Sequence, residues 1–394
     1  MKALLSPGIL LLTLAYVLSQ FFRSFLAVLS QPLNADLGIT SDGLAFASGL
    51  WFLSFAAMQI PVGWALDTIG ARRVAAILLL VGGAGGALVF ALAQSAWHIN
   101  LSMILVGIGC APVLMASYYI FARQYPPAQF ATLAAAVIGI GTLGNIGASY
   151  PTALAAELIG WRATMWVLAV VSAIVAFGIW FTVTDPPKVI SEKKGSFLEL
   201  LRMPIVWLFM PLMVVNYAPV GAIRGVWIGP YFGDVFASNT AQVGAATLIM
   251  SFSMAIGAFA YGPLDRILGT RKWIIAGGLG LTALCTLLLA AFATATPAIS
   301  MAFCAAIGFF GAAFPVVIAH ARSFFPPHLT GRGVTLMNLF GVGGVGIMQF
   351  VTGRVFGVLD EGGTVQAYQG IFTLLGIALL VGLIPYFWTR DSLN

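Results

Sequence analysis

Charge is what this sequence lacks. Only 8% of its 394 residues are Asp, Glu, Lys or Arg, while 60% are hydrophobic, a balance that cannot be arranged as a water-soluble globule. The chain is read as a polytopic membrane protein. Acids are the scarcer sign, and none lies deep inside an apolar run. Cysteine is nearly absent, and Cys110, Cys285 and Cys304 each fall inside such a run. That excludes a disulfide framework and a metal-ligand cluster, and leaves three small packing residues. No nucleophile–base set or phosphate-binding loop is visible, so nothing points to an enzyme, a cofactor or nucleotide-driven transport.

What is present is apolar length. Most runs exceed the roughly 18 residues that cross a bilayer as helix, which favours an all-α protein over the short alternating segments of a barrel. Spans are expected near 8–31, 42–65, 74–95, 99–122, 132–156 and 163–184, then near 204–232, 241–263, 274–295, 298–321, 334–357 and 367–389. Lys2 followed by an apolar run resembles a secretory signal, but Arg23 interrupts it and no small-residue cleavage site follows, so it is kept as the first span. Prolines and charges from Asp185 to Arg202 make the one extended hydrophilic segment. The expected domains are a bundle over 1–185, a cytoplasmic linker over 186–203 and a second bundle over 204–394.

Orientation follows from the basic residues. With the N-terminus inside, Lys2, Arg72, Arg73, Arg123, Lys188, Lys193, Lys194, Arg202, Arg266, Arg271, Lys272, Arg322, Arg332 and Arg390 all fall on the cytoplasmic side. Asp36, Asp42, Glu157, Asp234, Asp360 and Glu361 fall outside. The net charge of +6 is therefore a topology signal and not a nucleic-acid footprint. Both termini are placed in the cytoplasm, and the membrane is the inner (cytoplasmic) one.

Arg162 and Arg354 fall near the outer ends, and two further cations lie within the membrane. Arg23 lies in the first span and Arg224 in the seventh, each seven residues after a tyrosine, Tyr16 and Tyr217. Arginine stays charged, and at the bilayer centre it costs between roughly 2.5 and 17 kcal/mol, so each must face a partner or a water-filled cavity. On a helix Tyr16, Gln20 and Arg23 share one face, as do Tyr217, Gly221 and Arg224. With no acid deep in any span, an anion is the expected partner, gripped bidentately through carboxylate, phosphate or sulfonate oxygens.

The repeat extends to the loops. Gly63-Trp-Ala-Leu-Asp67-Thr-Ile-Gly70-Ala-Arg72-Arg73 follows span two, and Gly262-Pro-Leu-Asp265-Arg266-Ile-Leu-Gly269-Thr-Arg271-Lys272 follows span eight. The glycine, aspartate, glycine and basic pair resemble the loop pattern of the major facilitator superfamily, as do Gly160-Trp161-Arg162 and the turns Arg123-Gln-Tyr-Pro126-Pro127 and Arg322-Ser-Phe-Phe-Pro326-Pro327. Read physically, the glycines admit close helix ends and the aspartates accept from a helix N-terminus or an arginine. Gly63, Asp67, Gly70, Arg72, Arg73, Asp265, Gly269 and Arg271 are thus candidates for a conformational latch.

The resemblance implies twelve helices in two pseudo-symmetric six-helix bundles and transport by alternating access, with the substrate near the midplane and one bundle rocking against the other. Arginines in spans one and seven are like those of organophosphate:phosphate antiporters, whereas Gly141-Thr-Leu-Gly144-Asn145-Ile-Gly147 in span five looks like the pattern of nitrate/nitrite porters. Close helix packing is the expected use of those glycines. Proton-driven relatives typically carry a membrane carboxylate, and many carry an arginine where Met103 stands here; both are missing, which leaves His320 and Arg322 as coupling candidates. Asn216, Trp51, Tyr118, Tyr119, Trp227 and Asn338 complete the candidate substrate contacts. The leading expectation is a secondary transporter, a monomer that carries a small organic anion with a counter-anion or a proton. A nitrate/nitrite-like porter, a copper importer using Met250 and Met254, and a non-transporting receptor are the alternatives.

Overall fold

The computed structural model describes residues 6–187, 197–326 and 329–392; Lys2, Lys188, Lys193, Lys194 and Pro327 lie outside them. Among the described residues every regular element is helical, as a bilayer requires of a chain that must satisfy its own backbone. The chain separates into two compact units, Met1–Ile190 and Ser191–Asn394.

In the first unit, α1 (Pro7–Phe22) leads through a 3-10 turn (Phe25–Ala27) to α2 (Ser30–Leu37). Then come α3 (Ser41–Thr68), α4 (Ala71–Leu78), a π-helical turn (Leu79–Ala84), α5 (Gly85–Ala91), α6 (Ala96–Gln124), α7 (Pro127–Gly147), α8 (Tyr150–Ile159) and α9 (Trp161–Thr182). The second unit holds α10 (Phe197–Leu201), α11 (Pro204–Asn216), α12 (Ala218–Ala222), a π-helical turn (Ile223–Trp227), α13 (Ile228–Phe236), α14 (Thr240–Leu268), α15 (Lys272–Ala291), α16 (Pro297–Phe310), a 3-10 turn (Gly311–Ala313), α17 (Phe314–Arg322), α18 (Thr330–Leu359) and α19 (Thr364–Tyr386). Ten helical stretches among the described residues are long and apolar enough to cross a membrane; α7 with α8, bent by 41°, is a further broken span, and α1 supplies a shorter one. These are the twelve spans of the expected fold.

The first, fifth and seventh spans, read as continuous, are broken instead. The first ends at Phe22, where Arg23 caps the helix and Ser24 leaves helical geometry at φ −136°. Ser24 Oγ donates back to the Gln20 carbonyl at 3.3 Å, a side-chain bond of the kind that competes with helix. The fifth breaks between Gly147 and Tyr150, just before Pro151, which disfavours helical geometry in the residue ahead of it. The seventh breaks at Tyr217, because Pro219 has no N–H to offer the Val215 carbonyl. The chain then widens into the π turn that holds Arg224.

Glycines set the close approaches. A Cβ on Gly144 would overlap the Val17 carbonyl, and one on Gly141 would overlap the Tyr16 ring, so α7 lies directly against α1. In the second unit a Cβ on Gly344 would overlap the Val214 carbonyl, so α18 lies against α11. The expectation that the span-five glycines serve helix packing holds.

Candidate functional site

These contacts also measure where each arginine sits. Val17 meets Gly144, and Ser24 Oγ donates to Asn145 Oδ1 at 3.3 Å. In the second unit Val214 meets Gly344, and Val345 lies 3.0 Å from where a Gly221 Cβ would be. Both pairs of contacts match Val17 to Val214 and Ser24 to Gly221. On that register Arg23 corresponds to Val220 and Arg224 to Ala27, so the two arginines are not equivalent, although their equal spacing from the tyrosines suggests that they are. They differ by four residues, about one helical turn or ~6 Å of rise.

Their surroundings differ as well. Arg23 is half-buried, and its guanidinium carbon lies 5.3 Å from the Trp51 ring centroid and 5.5 Å from that of Phe55. Trp51 and Phe55, one helical turn apart on α3, stack on each other at 5.1 Å, so the cation rests on paired π faces. Its Nε is buried and reaches no acceptor among the described residues. Arg224 is 1% exposed, and its Nη2 donates to the Tyr217 hydroxyl at 3.3 Å. The shared face expected of Tyr217 and Arg224 is therefore present, across a break that an unbroken helix would not contain.

The remaining candidates divide. Gln20, 8% exposed, lies on α1 with its Oε1 buried and unpartnered among the described residues. Tyr16 packs against Gly141. Tyr118 meets the ring of Phe130 at 5.8 Å. Tyr119 lies under the Arg123 guanidinium, 3.7 Å from centroid to carbon, and so belongs to the loop contacts and not to Arg23. Trp227 donates to Thr352 Oγ1 at 3.0 Å and packs on Phe356 and Tyr368. Asn216 turns its amide back on its own helix, to the Leu212 and Met213 carbonyls at 3.0 and 2.8 Å. Asn338 is half-buried on α18. Asn145, read as part of a packing motif, has a buried Nδ2 without an acceptor among the described residues; an Asn among glycines in an apolar span was the signal for it. Met250 is wholly buried against Gly308, and among the described residues no group of three or more His, Cys, Asp or Glu could hold a metal.

The loop residues form two different fastenings. In the first unit Asp67 accepts from Arg123 Nη2 at 3.3 Å, while Asp185, just past α9, accepts from the Arg72 backbone N–H at 2.8 Å and so caps α4. Gly70 is at φ +111°, and a Cβ there would press on the Asp185 carboxylate. Arg73 is exposed, and Gly63 is loosely surrounded, with Met115 Cε 3.8 Å from a built Cβ. In the second unit Asp265 pairs with Arg271 Nε at 3.0 Å, and Gly269 closes α14 at φ +66°. Asp391, just past α19, accepts from the backbone N–H groups of Arg271 and Lys272 at 3.1 and 3.0 Å and from the Thr270 hydroxyl. Burial would raise the Asp391 carboxyl, but the Thr270 hydroxyl and those two amides hold it below its usual range. Sequence reasoning did not assign Asp185 or Asp391; an acid closing the last span of each half was the available signal.

His320 belongs to the second fastening. Its Nε2 faces the Arg390 carbonyl at 3.0 Å and must donate there, which leaves Nδ1 to accept from the Tyr386 hydroxyl at 2.8 Å. Arg322 is exposed at the end of α17. On the opposite side of the first unit, Arg162 and Trp161 both donate to Asp36, and the Arg162 bond holds that carboxyl low.

A family model described as Major Facilitator Superfamily matches the chain over residues 12–226 and 212–394. Among curated proteins it is similar to the inner membrane transport protein YajR of Escherichia coli K12, 26% identical over 260 residues that cover 61% of this chain and 54% of that one. It is also similar to the probable nitrate transporter NarT of Staphylococcus carnosus, 24% identical over 266 residues covering 66% and 65% of the two chains. The chain thus spans between half and two-thirds of the length of these relatives. Among solved structures, a mutant of the nucleoside transporter NupG has a TM-score of 0.76 at 16% identity, covering 97% of this chain and 99% of that one; at that identity the likeness is one of fold.

Proposed function

We propose a function from one premise: the chain belongs to the major facilitator superfamily and is a secondary transporter of the membrane, not an enzyme. Its substrate is a small organic anion bearing a carboxylate, phosphate or sulfonate, neutralised by Arg23 of the first bundle and Arg224 of the second. The observation that carries this is Arg23 held on the faces of Trp51 and Phe55 by its cation alone, with a buried Nε lacking an acceptor among the described residues. A structural arginine in an apolar span spends its N–H groups on a carboxylate or on carbonyls. This one keeps a buried donor in reserve, as an oxyanion site requires.

Each arginine lies at an irregularity of its helix, the first at a helix end and the second in a π turn. Broken helices of this kind build the ligand sites of many transporters, and π turns gather at functional positions. With no membrane carboxylate to carry a proton, substrate binding itself would license reorientation, which predicts obligatory exchange. The transporter sits in the inner membrane with both termini cytoplasmic; the basic loops support this, and YajR is an inner membrane protein.

The test is counterflow in liposomes. Efflux of preloaded labelled anion should accelerate when unlabelled anion is added outside, and Arg23→Gln should lose transport while still inserting and folding. Rapid net uptake into empty vesicles, driven by external acid without counter-anion, would replace exchange with proton symport. A second reading, an inorganic oxyanion such as nitrate, is favoured by the similarity to NarT; nitrate that competes better than organic anions would establish it.

A further inference from the structure

Ten tryptophans occur in the chain, and nine either donate the indole N–H to a protein group or lie exposed. Trp161 donates to Asp36, Trp207 to the Leu201 carbonyl and Trp227 to Thr352. Trp64, Trp97, Trp166, Trp180, Trp273 and Trp388 are exposed on the faces of their bundles. Trp51 differs from all of them. It is 0% exposed, and its Nε1 finds no acceptor among the described residues.

A buried donor left unpaired costs about 1–3 kcal/mol, and the indole of Trp51 carries that cost here. A phenylalanine would keep the stack on Phe55, the edge contact with Phe52 at 4.9 Å and a face for Arg23. What the indole adds is one N–H, located on the ring that already carries the Arg23 guanidinium 5.3 Å from its centroid. The guanidinium's own Nε is the other buried donor without an acceptor at this place. Two donors of different kind, one charged and one neutral, meet here, and Gln20 Oε1, one turn before Arg23, is bonded to neither. A group bonded by both is an acceptor with more than one lone pair, which excludes a cation or an apolar ligand, and the positive charge of Arg23 favours an oxyanion head among such acceptors.

We propose that Trp51 is a substrate-binding donor, its indole N–H bonding the same oxyanion head that Arg23 neutralises. The proposal rests on the anion reading above and sharpens it. A neutral donor adds nothing for charge as such, so it favours oxyanions that accept hydrogen bonds strongly, such as carboxylates and phosphates, over weak acceptors such as nitrate.

The test measures binding by thermal stabilisation of the full-length purified protein with phosphate, sulfate, nitrate, gluconate and glycerol 3-phosphate. Wild type, Trp51→Phe and Arg23→Gln are compared. Trp51→Phe should bind the best of these anions about tenfold more weakly than wild type, as loss of a hydrogen bond to a charged group predicts, with a smaller loss for nitrate. Equal binding by wild type and Trp51→Phe, alongside lost binding in Arg23→Gln, would overturn the role of Trp51 and leave the anion site standing. No binding of any of the five by wild type, or equal binding by Arg23→Gln, would overturn both. If Trp51→Phe does not fold, indole N–H resonances of the wild-type protein decide. One of them should move downfield when the best anion is added, and no movement overturns the proposal.

Discussion

The two bundles repeat a sequence pattern without repeating a structure. Arg23 caps a helix that ends, half-buried on two aromatic faces with a donor in reserve. Arg224 sits inside a helix that has widened into a π turn, fully buried and bonded to the tyrosine seven residues before it. The helix contacts place them one turn apart in register. Duplication preserved the glycine contacts that set helix distance, because backbone overlap there cannot be relieved by a rotamer change. It did not preserve the cation's depth, which depends on local breaks that a single proline or serine creates. Each half therefore presents its positive charge on different terms.

The largest expected effect is on transport and comes from removing either charge. Arg23→Gln and Arg224→Gln should each abolish counterflow, a loss of about 1.5–3 kcal/mol or more for a charged hydrogen bond. Arg23→Lys should fare worse than its charge suggests, because an ammonium cannot stack as the guanidinium does on Trp51 and Phe55. Wild-type counterflow in Arg23→Lys would show that the aromatic seat is incidental.

The next effect tests the part that is equivalent. Gly144→Ala and Gly344→Ala each force a methyl onto a carbonyl of the facing helix, and each should cost about 1–3 kcal/mol. The two values should agree, measured as loss of melting temperature in detergent. A large difference between them would mean that the shared register is not the shared packing constraint.

A smaller effect separates the two cytoplasmic fastenings. Asp185 receives one backbone N–H, whereas Asp391 receives two and a hydroxyl. Asp391→Asn should therefore destabilise more than Asp185→Asn, by about 1 kcal/mol as cap losses run. Because the Asp391 carboxyl is held low in the folded protein, its contribution is full above the usual carboxylate range and is lost as pH falls through the lowered value. The melting temperature should thus drop in acid, and less so in Asp391→Asn. The smallest effect is Tyr217→Phe, which removes one neutral donor–acceptor partner of Arg224; a change in KM of a few-fold with little loss of stability is expected from transport kinetics.

Much of this was legible in the residues. The class, the spans and the duplication followed from apolar length and charge placement, since lipid leaves few ways to fold such a chain. The loops were legible because Gly70 and Gly269 mark backbone that other residues rarely adopt. Tyr119 and Trp227, expected among the substrate contacts, face Arg123 and a cluster of rings instead, because an aromatic in an apolar span looks alike in sequence whether it packs on a cation, on other rings or against a ligand. Asp185 and Asp391 went unassigned because each caps a helix more than a hundred residues away in sequence.

By itself, then, the sequence determined that the chain lies in a membrane as two six-helix halves, and that each half carries a cation which hydrocarbon alone would not tolerate. Periodicity, hydropathy and charge are local properties, and they sufficed for that. Only the tertiary structure decided that the cations stand in different registers, that one rests on Trp51 and Phe55 while the other holds Tyr217, and that an indole N–H beside Arg23 is left without an acceptor among the described residues. Those facts depend on which helix faces which and where each one breaks, and such contacts arise between residues that sequence spacing does not bring together.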